Sequence, residues 1–322
     1  MKLDLKLYRG YANNNEIKVY GHVFKSWAPD KFRLDRKGIK HAFSVIHMFR
    51  IKPLKNIEID FKFQNLTAQA VTREDGYFEF NVPYDGDLKS GWHTYEVSCK
   101  IKKIGIVEKG EFLKPYESEY AIISDIDDTF LISHSNSFLK KLYVMLSKNV
   151  NKRKIFDDVV DHYKALSQAG QESKKASNSF FYVSSSEWNL YAFIENFAQL
   201  HELPKAVIQL KKIKKGITDF LMTGRGQHNH KLEKIKDIIS FYPEISYVLL
   251  GDDSQKDPFI YEKICQTYPN RIKAIYIRQV GSNQKKEVVS TLKKIENQDV
   301  EVCYFKESSK AIEHSRKHKI IT

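Results

Sequence analysis

Residues 120–129 read Tyr120-Ala121-Ile122-Ile123-Ser124-Asp125-Ile126-Asp127-Asp128-Thr129, and the change of character halfway along decides the fold. The first half is a short, unbroken apolar run, the pattern of a strand covered on both faces. It runs straight into three carboxylates within four positions. Packed at a strand end, such groups repel one another and raise each other's pKa unless a cation is present. An acidic loop or an Asx turn is the bland alternative, and the buried strand ahead of it weighs against that reading.

The same rhythm continues outward from this string. Apolar strands at 179–184, 206–210, 247–251, 274–277 and 300–305 alternate with helical patterns such as Leu190/Ile194/Phe197/Leu200 and Leu232/Ile235/Ile239. A βα alternation predicts a parallel sheet with helices on both faces, with ligands bound beyond the C-terminal strand ends. Chemistry-bearing residues stand at those ends. The second strand closes in Ser184-Ser185-Ser186, where a hydroxyl and backbone N–H groups suit phosphate oxygens; Ser186 reads as the N-cap of a helix starting at Glu187. Lys231 opens a helix, where its charge opposes the macrodipole and a bound anion would relieve the conflict. His228 and His230 just upstream read as loop residues. The strand at 247–251 ends in Gly251-Asp252-Asp253-Ser254-Gln255-Lys256-Asp257-Pro258, a second acidic cluster in which the glycine permits close backbone approach. Asp257 before Pro258 also reads as a helix N-cap, and the residue has two candidate roles.

Hard, oxygen-seeking Mg²⁺ is the usual partner of such carboxylates, alongside a phosphate oxygen. One carboxylate beside the ion can attack phosphorus, and a second two residues on can protonate the leaving oxygen and then activate water. In the order D-x-D-x-T, strand-end Ser, Lys, G-D-x₄-D, the chain resembles the haloacid dehalogenase (HAD) superfamily of Mg²⁺-dependent phosphotransferases. The resemblance implies Asp125 as nucleophile and Asp127 as acid/base. It implies Ser184 and Lys231 as phosphate ligands and Asp125, Asp127 and Asp252 as metal ligands. Asp128, Thr129, Gly251 and Asp257 support them. The strings I-S-D-I-D-D-T, F-Y-V-S-S-S-E-W-N-L-Y, L-L-G-D-D-S-Q-K-D-P-F-I-Y and A-I-Y-I-R are similar to the catalytic domain of actin-patch-type phosphatidate phosphatases, over about residues 118–280. Glu187 departs from the family pattern, which has proline there.

Upstream the pattern is different. Ile57, Ile59, Phe61 and Phe63 alternate with charged residues, Asp75-Gly76 signals a turn before Tyr77-Phe78-Glu79-Phe80, and Tyr95, Val97, Cys99 and Ile101 alternate again. This predicts a small antiparallel β-sandwich over 1–117, interrupted by one helix at 36–50 on the spacing Ile39, Phe43, Ile46, Phe49. The expected architecture is therefore α/β: that β-domain, then an HAD-like Rossmannoid parallel sheet over 118–322 with a small helical cap at about 130–178. Residues 281–322 add a last strand and a frayed basic tail.

Of 322 residues, 53 are basic and 40 acidic, a net charge of +13. Such a field attracts polyanions: nucleic acid, anionic lipid or phosphorylated metabolites. Three cysteines at wide spacing fit neither a disulfide framework nor a zinc site. No secretory signal and no span of ~18 uncharged apolar residues is visible. The expectation is a soluble cytoplasmic protein, peripheral on anionic membranes through Lys140, Lys141, Lys148, Lys152, Arg153 and Lys154 and the run Lys211, Lys212, Lys214 and Lys215. The phosphatidate phosphatase resemblance implies Mg²⁺-dependent hydrolysis of phosphatidate to diacylglycerol and phosphate through an aspartyl-phosphate. Two alternatives stand beside it: the same chemistry on soluble or nucleic-acid-end phosphomonoesters, and a catalytically silent adaptor binding anionic lipid. Nucleic acid is the less favoured partner, because no aromatic-basic motif for single strands is evident.

Overall fold

The structure is a computed structural model that describes residues 2–26, 52–101, 103–118, 120–126, 159–170, 176–211 and 228–321. The helix expected at 36–50, Asp127, Asp128 and Thr129, most of the expected cap and the basic positions 140–154 and 212–215 lie outside the described residues. The chain divides into two compact units, the first built chiefly from Met1–Pro115 and the second beginning at Tyr116.

The first unit contains β1 (Lys2–Ala12), β2 (Glu16–Ser26), β3 (Lys52–Pro53), β4 (Glu58–Phe63), β5 (Leu66–Val71), β6 (Tyr77–Pro83), β7 (Gly91–Ile101) and β8 (Ile104–Lys114). In place of two separate sheets, all eight join in one, ordered β3-β2-β1-β8-β7-β4-β5, with β6 also paired to β2. Every pair is antiparallel except β1 with β8, which run parallel at Gly10↔Phe112 and Tyr11↔Leu113. Pairing of β1 with β2 shifts between Tyr8 and Tyr11, a bulge that bends the strand. Gly10 sits in that bend, where a Cβ would stand 2.2 Å from the Lys18 carbonyl oxygen.

The sheet curls. Phe61 on β4 and Phe80 on β6 come from opposite ends of the strand order, yet their rings are 5.4 Å apart. Alternation puts Ile59, Phe61 and Phe63 into the resulting core with Phe78, Tyr95, Val97 and Phe112, and leaves Glu58, Asp60 and Lys62 outside. Asp75-Gly76 does turn the chain, with Gly76 at φ +76°. The strand after it does not fold back on β5, however, and pairs with β2 instead.

The second unit alternates strand and helix. In chain order it holds β9 (Tyr120–Asp125), α1 (Val159–Gln168), β10 (Phe180–Glu187), α2 (Tyr191–Leu200), β11 (Ala206–Lys211), α3 (His228–Phe241) and β12 (Ser246–Asp252). Then follow α4 (Asp257–Thr267), β13 (Ile272–Arg278), α5 (Lys286–Glu296), β14 (Glu301–Phe305) and α6 (Ser308–Lys317). The six strands form one parallel sheet in the order β11-β10-β9-β12-β13-β14. Numbered within the unit this is 3-2-1-4-5-6, and its connections reverse direction between β9 and β12. Every residue of β9 is buried, as the apolar run requires.

Three local readings need correction. Strand β10 continues to Glu187 and a single 3-10 turn at Trp188–Leu190 precedes α2, so no helix starts at Glu187 and Ser186 is not its N-cap. Pairing of Glu187 with Lys211 holds that backbone extended, and buried Trp188 and Leu190 anchor the turn. Helix α1 lies in the stretch assigned to a cap but packs on the sheet, its Tyr163 hydroxyl 2.6 Å from Ser124 Oγ. The C-terminal tail is also ordered: α6 covers the sheet edge, and the Tyr120 hydroxyl donates to the carbonyl of buried Ile320.

Candidate active site

The C-terminal ends of β9 and β12 lie side by side at the reversal point, and the acidic residues of the sequence meet there. Asp125 ends β9 and Asp252 ends β12; both are fully buried. Asp257, also fully buried, opens α4. Carboxylate oxygens of the three lie within 4.8 Å of one another.

Among the described residues one cation answers them. Lys231, in the first turn of α3, is 2% exposed; its Nζ is 2.9 Å from Asp125 Oδ1 and also bonds Asp257 Oδ1. Burial alone would lower the Lys231 pKa, but Asp125 and Asp257 outweigh it and hold the ammonium protonated above its ordinary range. Asp257 is pushed up to about 7: burial raises it, Lys231 opposes, and the Asp125 charge adds to the rise.

The loop after β12 is built around these groups. Asp252 Oδ1 accepts from the Ser254 N–H at 2.6 Å and the Gln255 N–H at 3.2 Å, which fixes the carboxylate at the strand end. Asp257 Oδ2 accepts the Asp252 N–H at 3.3 Å. The N-cap of α4 is Lys256, and Asp257 is the first helical residue, so the capping role read from Asp257-Pro258 does not hold. Its side chain is drawn inward to Lys231 instead. Gly251 makes that possible, since a Cβ there would stand 2.6 Å from Asp257 Oδ2 and 2.8 Å from its Cβ.

Ser184 is buried on β10. Val183 pairs with Asp125, so Ser184 stands one residue beyond the level of Asp125 on the neighbouring strand. Asp127, Asp128 and Thr129 lie outside the described residues, although Ile126 is described and buried. His230, read as a loop residue, is helical, with Nε2 3.3 Å from the Leu210 carbonyl oxygen.

Sequence reasoning missed Asp253. Its Oδ2 accepts from the Tyr304 hydroxyl at 2.6 Å and its Oδ1 from the Val280 N–H at 2.9 Å, while its carbonyl takes the Lys285 ammonium. It clamps the loop after β12 to the segments following β13. The G-D-D string was the available signal, but partners 27 and 51 residues away leave no local pattern.

Among the described residues, three carboxylates face one ammonium, a formal excess of two negative charges when all are ionised. Oxygen donors around Mg²⁺ at bond lengths of about 2.0–2.1 Å stand roughly 3–4 Å apart, and the carboxylate oxygens here fall within 4.8 Å of one another. An all-oxygen, buried, anionic donor set fits a hard divalent cation.

Fold and site together define a parallel α/β protein with a buried acidic centre at its topological switch point. Residues 120–279 match the family described as the catalytic domain of phosphatidate phosphatase APP1. That segment belongs to this family. Phosphatidate phosphatase APP1 of Saccharomyces cerevisiae is 28% identical over 185 residues, which is 57% of this chain and 30% of that protein. The chain thus spans about three tenths of the length of this relative. Among solved structures, a carbohydrate acetylesterase from Xanthomonas citri aligns over 98% of this chain and 73% of its own at 8% identity and a TM-score of 0.37. A β-glucuronidase from Parabacteroides merdae aligns over 94% and 39% at 6% identity and a TM-score of 0.28. Scores this low carry no argument about fold or activity.

Proposed function

We propose that the second unit is an HAD-like, Mg²⁺-dependent phosphomonoester phosphatase acting on phosphatidate. The observation that carries this reading is the buried Asp125 at the β9 terminus, ion-paired to Lys231 and flanked by Asp252 and Asp257. Family membership and the name of the yeast relative support the substrate.

In this reading Asp125 attacks phosphorus, forming an aspartyl-phosphate and displacing the glycerol oxygen. Asp127, two residues on, protonates that oxygen and then activates the water that hydrolyses the intermediate. Lys231 has two duties. Before substrate arrives it balances Asp125 and Asp257; with substrate it shares its charge with the phosphate oxygens, joined by the Ser184 hydroxyl. Asp125 and Asp252, with the Asp127 carbonyl, would hold Mg²⁺, and Asp257 orders Lys231 beside them. The ion supplies charge neutralisation for a transition state spread over the phosphoryl oxygens.

The net charge of +13 suits an enzyme whose substrate lies in an anionic surface and supports a peripheral association with such a surface. No helix among the described residues is long and apolar enough to cross one.

Phosphate release from phosphatidate in mixed micelles tests the proposal, with soluble phosphomonoesters and a 5′-phosphorylated oligonucleotide run alongside. Mg²⁺-dependent release from the lipid alone is expected. Release from the soluble compounds alone would keep the chemistry and overturn the lipid assignment.

A further inference from the structure

A second set of metal-type donors stands apart from the acidic centre, at the outer edge of the parallel sheet. Strand β14 is the edge strand, and α6 packs behind it. His314 lies in the last turn of α6 and His318 is its C-cap, four residues on, and the chain's turn brings the two side chains together. Glu301, the first residue of β14, reaches the same point: one ligand atom from each of the three lies within 4.8 Å of the others. His318 Nδ1 is 2.6 Å from Glu301 Oε2, and the two imidazole rings stack with centroids 4.2 Å apart. All three are half-buried.

From this geometry we infer a divalent transition-metal site, suited to Zn²⁺, formed by Glu301, His314 and His318. The donor chemistry favours that class. Two imidazoles and one carboxylate are a borderline set that zinc accepts at about 2.0–2.2 Å, whereas Mg²⁺ prefers oxygen alone. The spacing also fits. Donors on a tetrahedral ion stand roughly 3.3 Å apart, so the His318–Glu301 pair opens slightly and His314 moves in. Half-exposed side chains on a helix and an edge strand have room for both movements.

The surroundings already orient one ligand. His314 Nδ1 faces the Tyr276 hydroxyl at 3.4 Å, which directs Nε2 away from the core. The same hydroxyl is 2.7 Å from Ser315 Oγ, itself 2.8 Å from His162 Nε2 on α1. An oxygen partner on the non-ligating nitrogen is the usual way a protein fixes the tautomer of a metal-binding histidine. The ion would be structural: it pins α6 to the edge strand β14, with water in its open position. This inference is independent of the phosphatase proposal, because no residue is shared between the two sites.

The test is zinc retention by the full chain, stripped with chelator and dialysed against Zn²⁺ in excess Mg²⁺, which keeps the acidic centre filled. One zinc per chain is expected in the wild type and in Asp252→Asn. His314→Ala/His318→Ala and Glu301→Gln should bind at least about a hundredfold more weakly. Titration with Co²⁺ gives a second readout, the intense visible bands of a four-coordinate site, absent from the double variant. Circular dichroism of each metal-free variant, matched to wild type, separates ligand loss from misfolding. No zinc retained by the wild type, or equal retention by the double variant, would overturn the inference and leave Glu301–His318 as a side-chain contact alone.

Discussion

Lys231 is the residue on which the acidic centre balances. Removing one partner of a buried ion pair costs about 3–5 kcal/mol, because the remaining charges stay buried without compensation. Lys231→Met should therefore lower the melting temperature by many degrees, and millimolar Mg²⁺ should restore part of the loss by binding the surplus carboxylates. A calorimetric scan with and without Mg²⁺ checks this; an unchanged melting point would mean that the pair is not formed. Gly251 makes a narrower prediction. A methyl group there collides with the Asp257 carboxylate, so Gly251→Ala should destabilise by about 1–3 kcal/mol and displace Asp257 from Lys231. Denaturant melts measure the first effect, and loss of turnover in a folded variant measures the second. At this scale the sequence exposed Asp125, Asp252 and Gly251, since each stands at a strand end beside a change in hydrophobicity. It left Asp257 with two roles, because an Asp-Pro pair serves equally as a cap and as an inward-pointing ligand. The fate of its side chain was decided by Lys231, 26 residues away.

Strands were more legible than helices. The apolar runs of β9, β10 and β12 read as strands covered on both faces, and the βα rhythm makes them parallel; their order across the sheet was not written in it. Helix α6 was invisible because only Ser308, Ala311 and Ser315 are buried along it, small residues that make no hydrophobic stripe. The curled sheet was half legible: alternation gave the strands and their inner faces, but β6 pairs with β2, some sixty residues back, and not with β5 just before it, and no local pattern marks that choice. Strand β2 also carries a pH response. His22 is fully buried, stacked on Phe24 and bonded to the Tyr8 hydroxyl at 3.0 Å. Burial lowers its pKa from 6.5 to about 4, against a weaker opposing pull from Asp75. Above pH 6.5 both folded and unfolded chains keep this histidine neutral. Between 6.5 and about 4 only the unfolded chain takes up the proton, so stability falls as pH falls. The slope is about 1.4 kcal/mol per unit, or roughly 2 kcal/mol between pH 6.5 and 5. Urea melts of wild type and His22→Gln should show this component in the wild type only. Equal acid sensitivity would contradict it.

Two properties of the whole molecule bear on function, its charge and the position of its site. A net charge of +13 predicts binding to vesicles rich in anionic lipid that weakens severalfold as ionic strength rises past the physiological range. Sedimentation with vesicles of graded anionic content measures it, and binding indifferent to salt would show that charge is not the driving force. The proposed chemistry turns on one group, the Asp125 carboxylate at the end of β9, acting with Mg²⁺. The most direct measurement is phosphate release from phosphatidate by wild type and Asp125→Asn, each with Mg²⁺ and with chelator, after both are shown to melt cooperatively. The account predicts release by the wild type with Mg²⁺ and loss of at least about a thousandfold in the variant or in chelator. Equal release by a folded Asp125→Asn protein would contradict it.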